Sequence, residues 1–186
     1  EYTFKHALTH EVAYGSLVGH RRGVLHSQIA GAIERLYPDR VEEWVEGLAH
    51  HAFRGEQWAK AFPYLRHAGQ KAFRASANTE AASFFEQALV ALSRLPETRE
   101  NLEGAIDVRF DLRNSLYPLG EFGRIVDHMQ EVERIAQALG DQPRSGRAFL
   151  YMSQHFWWSG EPHRAIDCVQ RTLGIAQAVG DVSLLA

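Results

Sequence analysis

Apolar positions along this chain recur at steps of three and four, and alternation at steps of two is nowhere sustained. Ile125, Met129, Val132, Ala136 and Leu139 follow that spacing, which lays them in one stripe along a helix. Ala165, Val169, Thr172, Ala176 and Val179 repeat the stripe. Gly140 and Gly180 stand where a left-handed residue would end each helix, and Asp141 and Asp181 follow as N-caps of the next. The partner helices run from Glu97 to Leu119 and from Arg144 to Ser159. The second carries Phe149, Met152 and Phe156 on one face and Tyr151, His155 and Trp158 on another.

Upstream, Asp39 and Glu42 form a capping box that opens a helix from Val41 to Phe53. A turn at Gly55-Glu56 leads into a helix from Trp58 to about Ala75, whose first turns Pro63 interrupts. Asn78 caps a further helix carrying Ala81, Phe84, Ala88 and Leu92, which Pro96 ends. The stretch from Tyr2 to Tyr37 gives two shorter helices, split near Gly19 to Arg22. The pattern as a whole predicts an all-α protein.

The strongest signal is self-similarity. GEFGRIVDHMQEVERIAQALGD, from Gly120, returns as GEPHRAIDCVQRTLGIAQAVGD, from Gly160. An offset of about 40 residues falls in the range of helical-pair arrays, whose units bury their apolar faces only by stacking. The identities cluster at the turn and at the helix end, so what repeats is geometry rather than a reaction centre.

At 186 residues with 45% hydrophobic and 23% charged content the chain has enough apolar material for a core. A formal net charge of −3 offers no global attraction to nucleic acid or to an anionic membrane, and no basic stripe with interleaved aromatics appears. No apolar run is long enough to span a bilayer, and the first residues lack the pattern of a signal peptide. The single cysteine, Cys168, excludes an intramolecular disulfide and reads as a packed thiol in a reducing, cytoplasmic setting. The sequence opens at Glu1 without a methionine and closes just past Asp181, which reads as a piece of a longer chain.

Candidate chemistry is thin. His10-Glu11 would begin a zinc-protease helix, but the second ligand position is Tyr14. His6 and His10 lie one turn apart without an evident third ligand, and packing is the reading preferred for them. His50 and His51 point about 100° apart on a helix and cannot converge on one ligand without help from elsewhere. No catalytic residue, cofactor site or metal site is therefore assigned.

Gly160-Glu161 with Ala165 and Val169, preceded by Phe149, Met152 and Phe156, resembles a tetratricopeptide unit, as does Trp58-Ala59-Lys60-Ala61 with Leu65 and Ala68. The resemblance implies antiparallel helix pairs stacked in a right-handed superhelix. It also implies a concave groove lined by Phe110, Asn114 and Tyr117 beside Arg147, Leu150, Gln154 and Trp157. Aromatics with arginine and amides suit a protein or peptide partner. Of Trp157 and Trp158, one is expected to pack between repeats and the other to reach the groove. The alternative is that these groove residues pack against a further repeat. The Lys and Asn clamp that captures peptide carboxylates in some tetratricopeptide domains is incomplete.

FKHALTHEVAY from Phe4, Arg21-Arg22, LHSQIAGAIE from Leu25, and LAHHAFRGEQWAKAFPYLRHAGQKAF from Leu48 resemble the region after the nucleotide-binding module of large bacterial signalling ATPases, a group that includes class III cyclases and LuxR-type regulators. By that resemblance residues 1–37 are a helical junction and 38–186 a repeat array truncated at its end. The implied function is non-catalytic: an interaction or regulatory module whose partners are proteins, including other domains of the same parent, with oligomerisation through the exposed array end as an option. Two other readings stand beside it. One is a segment of a nucleotide cyclase whose catalytic domain lies elsewhere. The other is a small-molecule-sensing repeat domain of a transcriptional regulator. The phosphate-loop and cyclase motifs themselves do not occur in this sequence.

Overall fold

The computed structural model describes residues 19–180, which form eight α-helices and one 3-10 turn, with no strand among the described residues. The order is α1 (Gly19–Leu36), the 3-10 turn (Pro38–Arg40), α2 (Val41–Arg54), α3 (Trp58–Arg74), α4 (Asn78–Leu92), α5 (Arg99–Leu116), α6 (Phe122–Leu139), α7 (Gln142–Trp158) and α8 (Pro162–Val179). Each helix packs chiefly on the helices before and after it in sequence, and α3 also touches α5. No helix among the described residues is long and apolar enough to cross a membrane.

The connections explain the row. Glu56, Ser76, Gly120, Gly140, Gly160 and Gly180 all adopt positive φ, between 54° and 73°. At the first five, the next residue closes the helix behind it. The N–H groups of Gln57, Ala77, Glu121, Asp141 and Glu161 donate to the carbonyls of Ala52, Ala72, Leu116, Ala136 and Phe156 at 2.8–3.2 Å. This is the left-handed C-terminal closure of a helix, used again and again. The connection between α4 and α5 differs. There the Thr98 hydroxyl accepts from the Asn101 N–H at 3.2 Å, and the Asn101 side chain donates to the Pro96 carbonyl at 2.8 Å.

Several local expectations need correction. Asp39 lies inside the 3-10 turn, and α2 has Arg40 at its N-cap position with no side-chain cap hydrogen bond, while the Arg40 side chain instead pairs with Glu43. Asn78 is the first helical residue of α4 rather than its cap. Pro63 sits inside α3 without breaking it. It removes one N–H, but burial of Ala61, Leu65 and Ala68 along the same helix holds the conformation. Asp141 does cap α7, accepting from the Arg144 N–H at 3.1 Å. Asp181 and the expectations for Tyr2 to Val18 lie outside the described residues, and α1 is unbroken through Gly19 to Arg22.

The α6 stripe is as predicted, with Ile125, Met129, Val132 and Ala136 buried. On α8 the predicted stripe is only half right, since Ala165, Thr172 and Ala176 are buried with Cys168, whereas Val169 and Val179 are 41% and 45% exposed. The reason is packing. Helix α6 lies between α5 and α7, whereas α8 among the described residues packs chiefly on α7 and buries a narrower stripe. Thr172, which stands where α6 has Val132, satisfies its buried hydroxyl by donating to the Gly146 carbonyl of α7 at 3.1 Å. Phe149, Met152 and Phe156 are buried as expected, with Tyr151 and His155 at the margin.

Two predictions follow from this architecture. Glu56 and Ser76 hold exposed left-handed positions that glycine fills elsewhere in the array. Ser76→Gly should therefore raise stability by about 0.5 kcal/mol, after the entropy that glycine adds to the unfolded chain, and Gly140→Ala should lower it by about 1–2 kcal/mol, both read by urea denaturation. The second concerns His128 on α6. Burial, aided by the Arg109 and Arg124 cations and opposed by Asp127, pushes its pKa from about 6.5 down to about 4. The unfolded chain then binds the proton more tightly, so stability is full above the ordinary histidine range and falls as the pH drops from about 6.5 towards about 4. Denaturation across that range should show a fall in the wild type that His128→Gln lessens.

Candidate functional site

Helices α3, α5 and α7 share one side of the array, and a polar ribbon ties them together. On α3, Arg66 donates to Asp111 of α5 at 3.0 Å and lies 3.7 Å from Asp107, while Gln70 donates to Asp111 at 3.2 Å. From α7, Arg144 donates to Asp107 at 2.8 Å and to its own cap, Asp141, at 2.9 Å. Asp107 of α5 thus stands between a cation from α3 and one from α7, while Asp111 is held by two side chains of α3. Asp107 and Asp111 are one turn apart, which is why both reach the same side.

Further along α5, Arg113 donates to Gln154 of α7 at 2.9 Å and to Asn114 at 3.2 Å. Its guanidinium lies over the rings of Tyr151 and Tyr117, at 4.1 and 4.8 Å from their centroids. Burial pulls its pKa below the ordinary arginine value, against the opposing pull of Tyr151 and Tyr117, and it remains a cation. Arg147 stacks on Phe110 at 4.8 Å and donates to the Tyr151 hydroxyl at 3.1 Å. Stacked, partly desolvated arginines of this kind are worth more than exposed ion pairs.

The structure brings together Asn114, Tyr117, Arg147 and Gln154 of the predicted groove. Phe110 does not line an open surface; it is 6% exposed, edge-on to Tyr151 and covered by Arg147. Leu150 is half-buried. Trp157 and Trp158 are 65% and 74% exposed, so neither is packed away between repeats as one of them was expected to be. Trp158 borders a cleft with Tyr117, Phe122 and His155 that holds only about 10 Å³. A wider opening of about 250 Å³ lies between α3, α4 and α5, lined by Gln70, Phe73, Arg74, Phe85, Asp111 and Asn114.

The residues that the sequence reading missed are Arg66, Gln70, Asp107, Asp111, Arg113, Arg144 and Tyr151. Their signal was present as a polar stripe, Asp107, Asp111 and Asn114, at steps of four and three. The predicted stripe of Phe110, Asn114 and Tyr117 is rotated from it by a fraction of a turn, which exchanges a buried ring for a carboxylate.

A second cluster lies at the other end of the described residues. His26 of α1 meets His50 and His51 of α2, with the Nδ1 atoms of His26 and His51 2.8 Å apart. The help that the two α2 histidines lacked in sequence comes from α1. Burial is the main cause holding all three below the ordinary histidine range; Arg54 adds to it for His26 and His50, and neighbouring histidines add to it for His26 and His51. Cys168, by contrast, is a packed thiol whose pKa burial pushes up, which makes it a poor nucleophile.

The chain matches no family model and no curated protein. Among solved structures, BtubC (BKLC) from P. vanneervenii is similar over 89% of this chain and 94% of that one, at 15% identity and a TM-score of 0.40.

Proposed function

We propose that this chain is a non-catalytic interaction module, a right-handed tetratricopeptide-like array that holds a protein segment along the side shared by α3, α5 and α7. The observation that carries this reading is the polar and aromatic ribbon on that side. Arg66 and Asp111 fix each other in place, and Arg113 is held by Tyr151 and Gln154, next to an opening lined by Phe73 and Asn114. Pre-ordered arginine and tyrosine side chains bind with little further entropic loss, which is what an extended or helical peptide needs from a groove. Exposed Trp157 and Trp158 extend the surface beyond Gln154.

The resemblance of the amino-terminal half to bacterial signalling ATPases gives this module a setting. In such a cytoplasmic parent the array follows a nucleotide-binding module, and its partner is a signalling protein or another domain of the same chain. Regulation then comes from differential contacts of the array with the parent's two states. Nothing in the geometry favours the cyclase-segment or small-molecule reading over this one.

The test is photo-crosslinking. A benzophenone amino acid at Asn114 or Gln154 should yield one discrete protein adduct in lysate of the source cells, and Arg113→Glu should abolish it. No adduct, or the same adduct from Gln130 on the exposed side of α6, would overturn the proposal.

A further inference from the structure

We infer that His26, His50 and His51 form a site for one divalent transition-metal ion of zinc's class, which ties α1 to the carboxy-terminal end of α2. One nitrogen from each ring lies within 4.8 Å of the other two. The ring centroids form a nearly equilateral triangle, 5.0 Å for His26 and His51, 5.2 Å for His50 and His51, and 5.5 Å for His26 and His50. Three imidazoles on a tetrahedral zinc ion, each nitrogen about 2.0–2.1 Å from the metal, place their ring centroids roughly 5.2 Å apart. The protein therefore already holds the rings at the spacing that a three-histidine site requires. Such a site leaves the fourth position to water or to an outside group.

The atoms that would bind are available without a change in charge. At 2.8 Å the two Nδ1 atoms of His26 and His51 share one proton, donated by one neutral ring to the lone pair of the other. An ion entering between them takes both Nδ1 lone pairs. The proton of the donating ring moves to its Nε2, and the two nitrogens open to roughly 3.3 Å, the separation expected of neighbouring ligands on a tetrahedral ion. A donor set of imidazoles alone selects zinc, cobalt, nickel or copper over calcium or magnesium. His50 is exposed and gives the ion a way in, while His26 is buried and gives the site a fixed wall. Arg54 is close enough to disfavour positive charge on His26 and His50, so it also weakens cation binding.

The spacing of the two helices is set beside the cluster. Ser27 donates to the Gly55 carbonyl at 3.1 Å, and a Cβ on Gly55 would lie only 2.6 Å from the Ser27 hydroxyl and 2.8 Å from its backbone nitrogen. Glycine at the end of α2 is what lets α1 approach this closely. The cluster is thus held by backbone packing and does not depend on the histidines to assemble it.

Zinc titration of the 186-residue chain by calorimetry, with Co2+ as a spectroscopic substitute, tests the inference. His50→Ala and His51→Ala remove ligands, and His163→Ala on α8 serves as a surface-histidine control. The expected result is one zinc per chain, a higher Tm with zinc, and visible bands of tetrahedral Co2+. Affinity should be at least about tenfold weaker in both cluster variants and unchanged in His163→Ala. His50 is exposed, so its replacement leaves the α1 packing in place. No saturable binding, or binding by His50→Ala as tight as wild type, would show the three rings to be a hydrogen-bonded packing cluster only.

Discussion

A helix with one apolar stripe must reverse direction and lay that stripe on its neighbour, and in this protein one turn does so repeatedly. The left-handed residues at Glu56, Ser76, Gly120, Gly140 and Gly160 end their helices within one or two residues of the next, and Gly180 ends the last described helix in the same conformation. Because the same closure recurs, successive helices have similar lengths and add in a row, each resting on the last. The row in turn brings alternate helices to one side, which is how Arg66, Asp107 and Arg144 from α3, α5 and α7 come to form a single ribbon.

The row is not uniform. Helices α3 and α4 bury small residues, among them Ala61, Ala68, Ala72, Ala81 and Ala88, and they meet at Gly69, where a Cβ would sit 2.6 Å from the buried Phe85 ring. These two helices approach closely as a result. Around α5 the contacts are larger and partly polar, with Phe110 under Arg147 and Arg113 between two tyrosines. The opening beside Phe73 and Asn114 lies where the small-residue contact gives way to the larger one. Tight packing positions the scaffold, and the looser polar side is the surface on which the proposed partner would sit.

What could be read in the sequence was what depends on local periodicity. The α6 stripe and the glycine closures at Gly140 and Gly180 need only near neighbours along the chain, and they appear as expected. Ser76 occupies the same kind of turn without glycine, so composition gave no mark of it. Val169 was placed in the core because its helix copies α6, but burial depends on how many helices flank it, and sequence periodicity does not state that. The tetratricopeptide resemblance implies a groove position for Phe110, and its apolar ring lies instead in the α5–α7 contact. The meeting of His26 with His50 and His51 depends on α1 docking across α2, a tertiary event invisible to spacing along one helix.

A row of nearest-neighbour contacts should not open all at once. Helices flanked on both sides have more to lose on opening than those at the ends of the described row, where α8 rests on α7 and α1 on α2. Native-state hydrogen exchange on the 186-residue chain measures this directly. Graded opening free energies, highest in α3 to α5 and lower in α1 and α8, are the predicted result; one common opening free energy for every helix would contradict a linear array and, with it, the reading of α3, α5 and α7 as one continuous binding side.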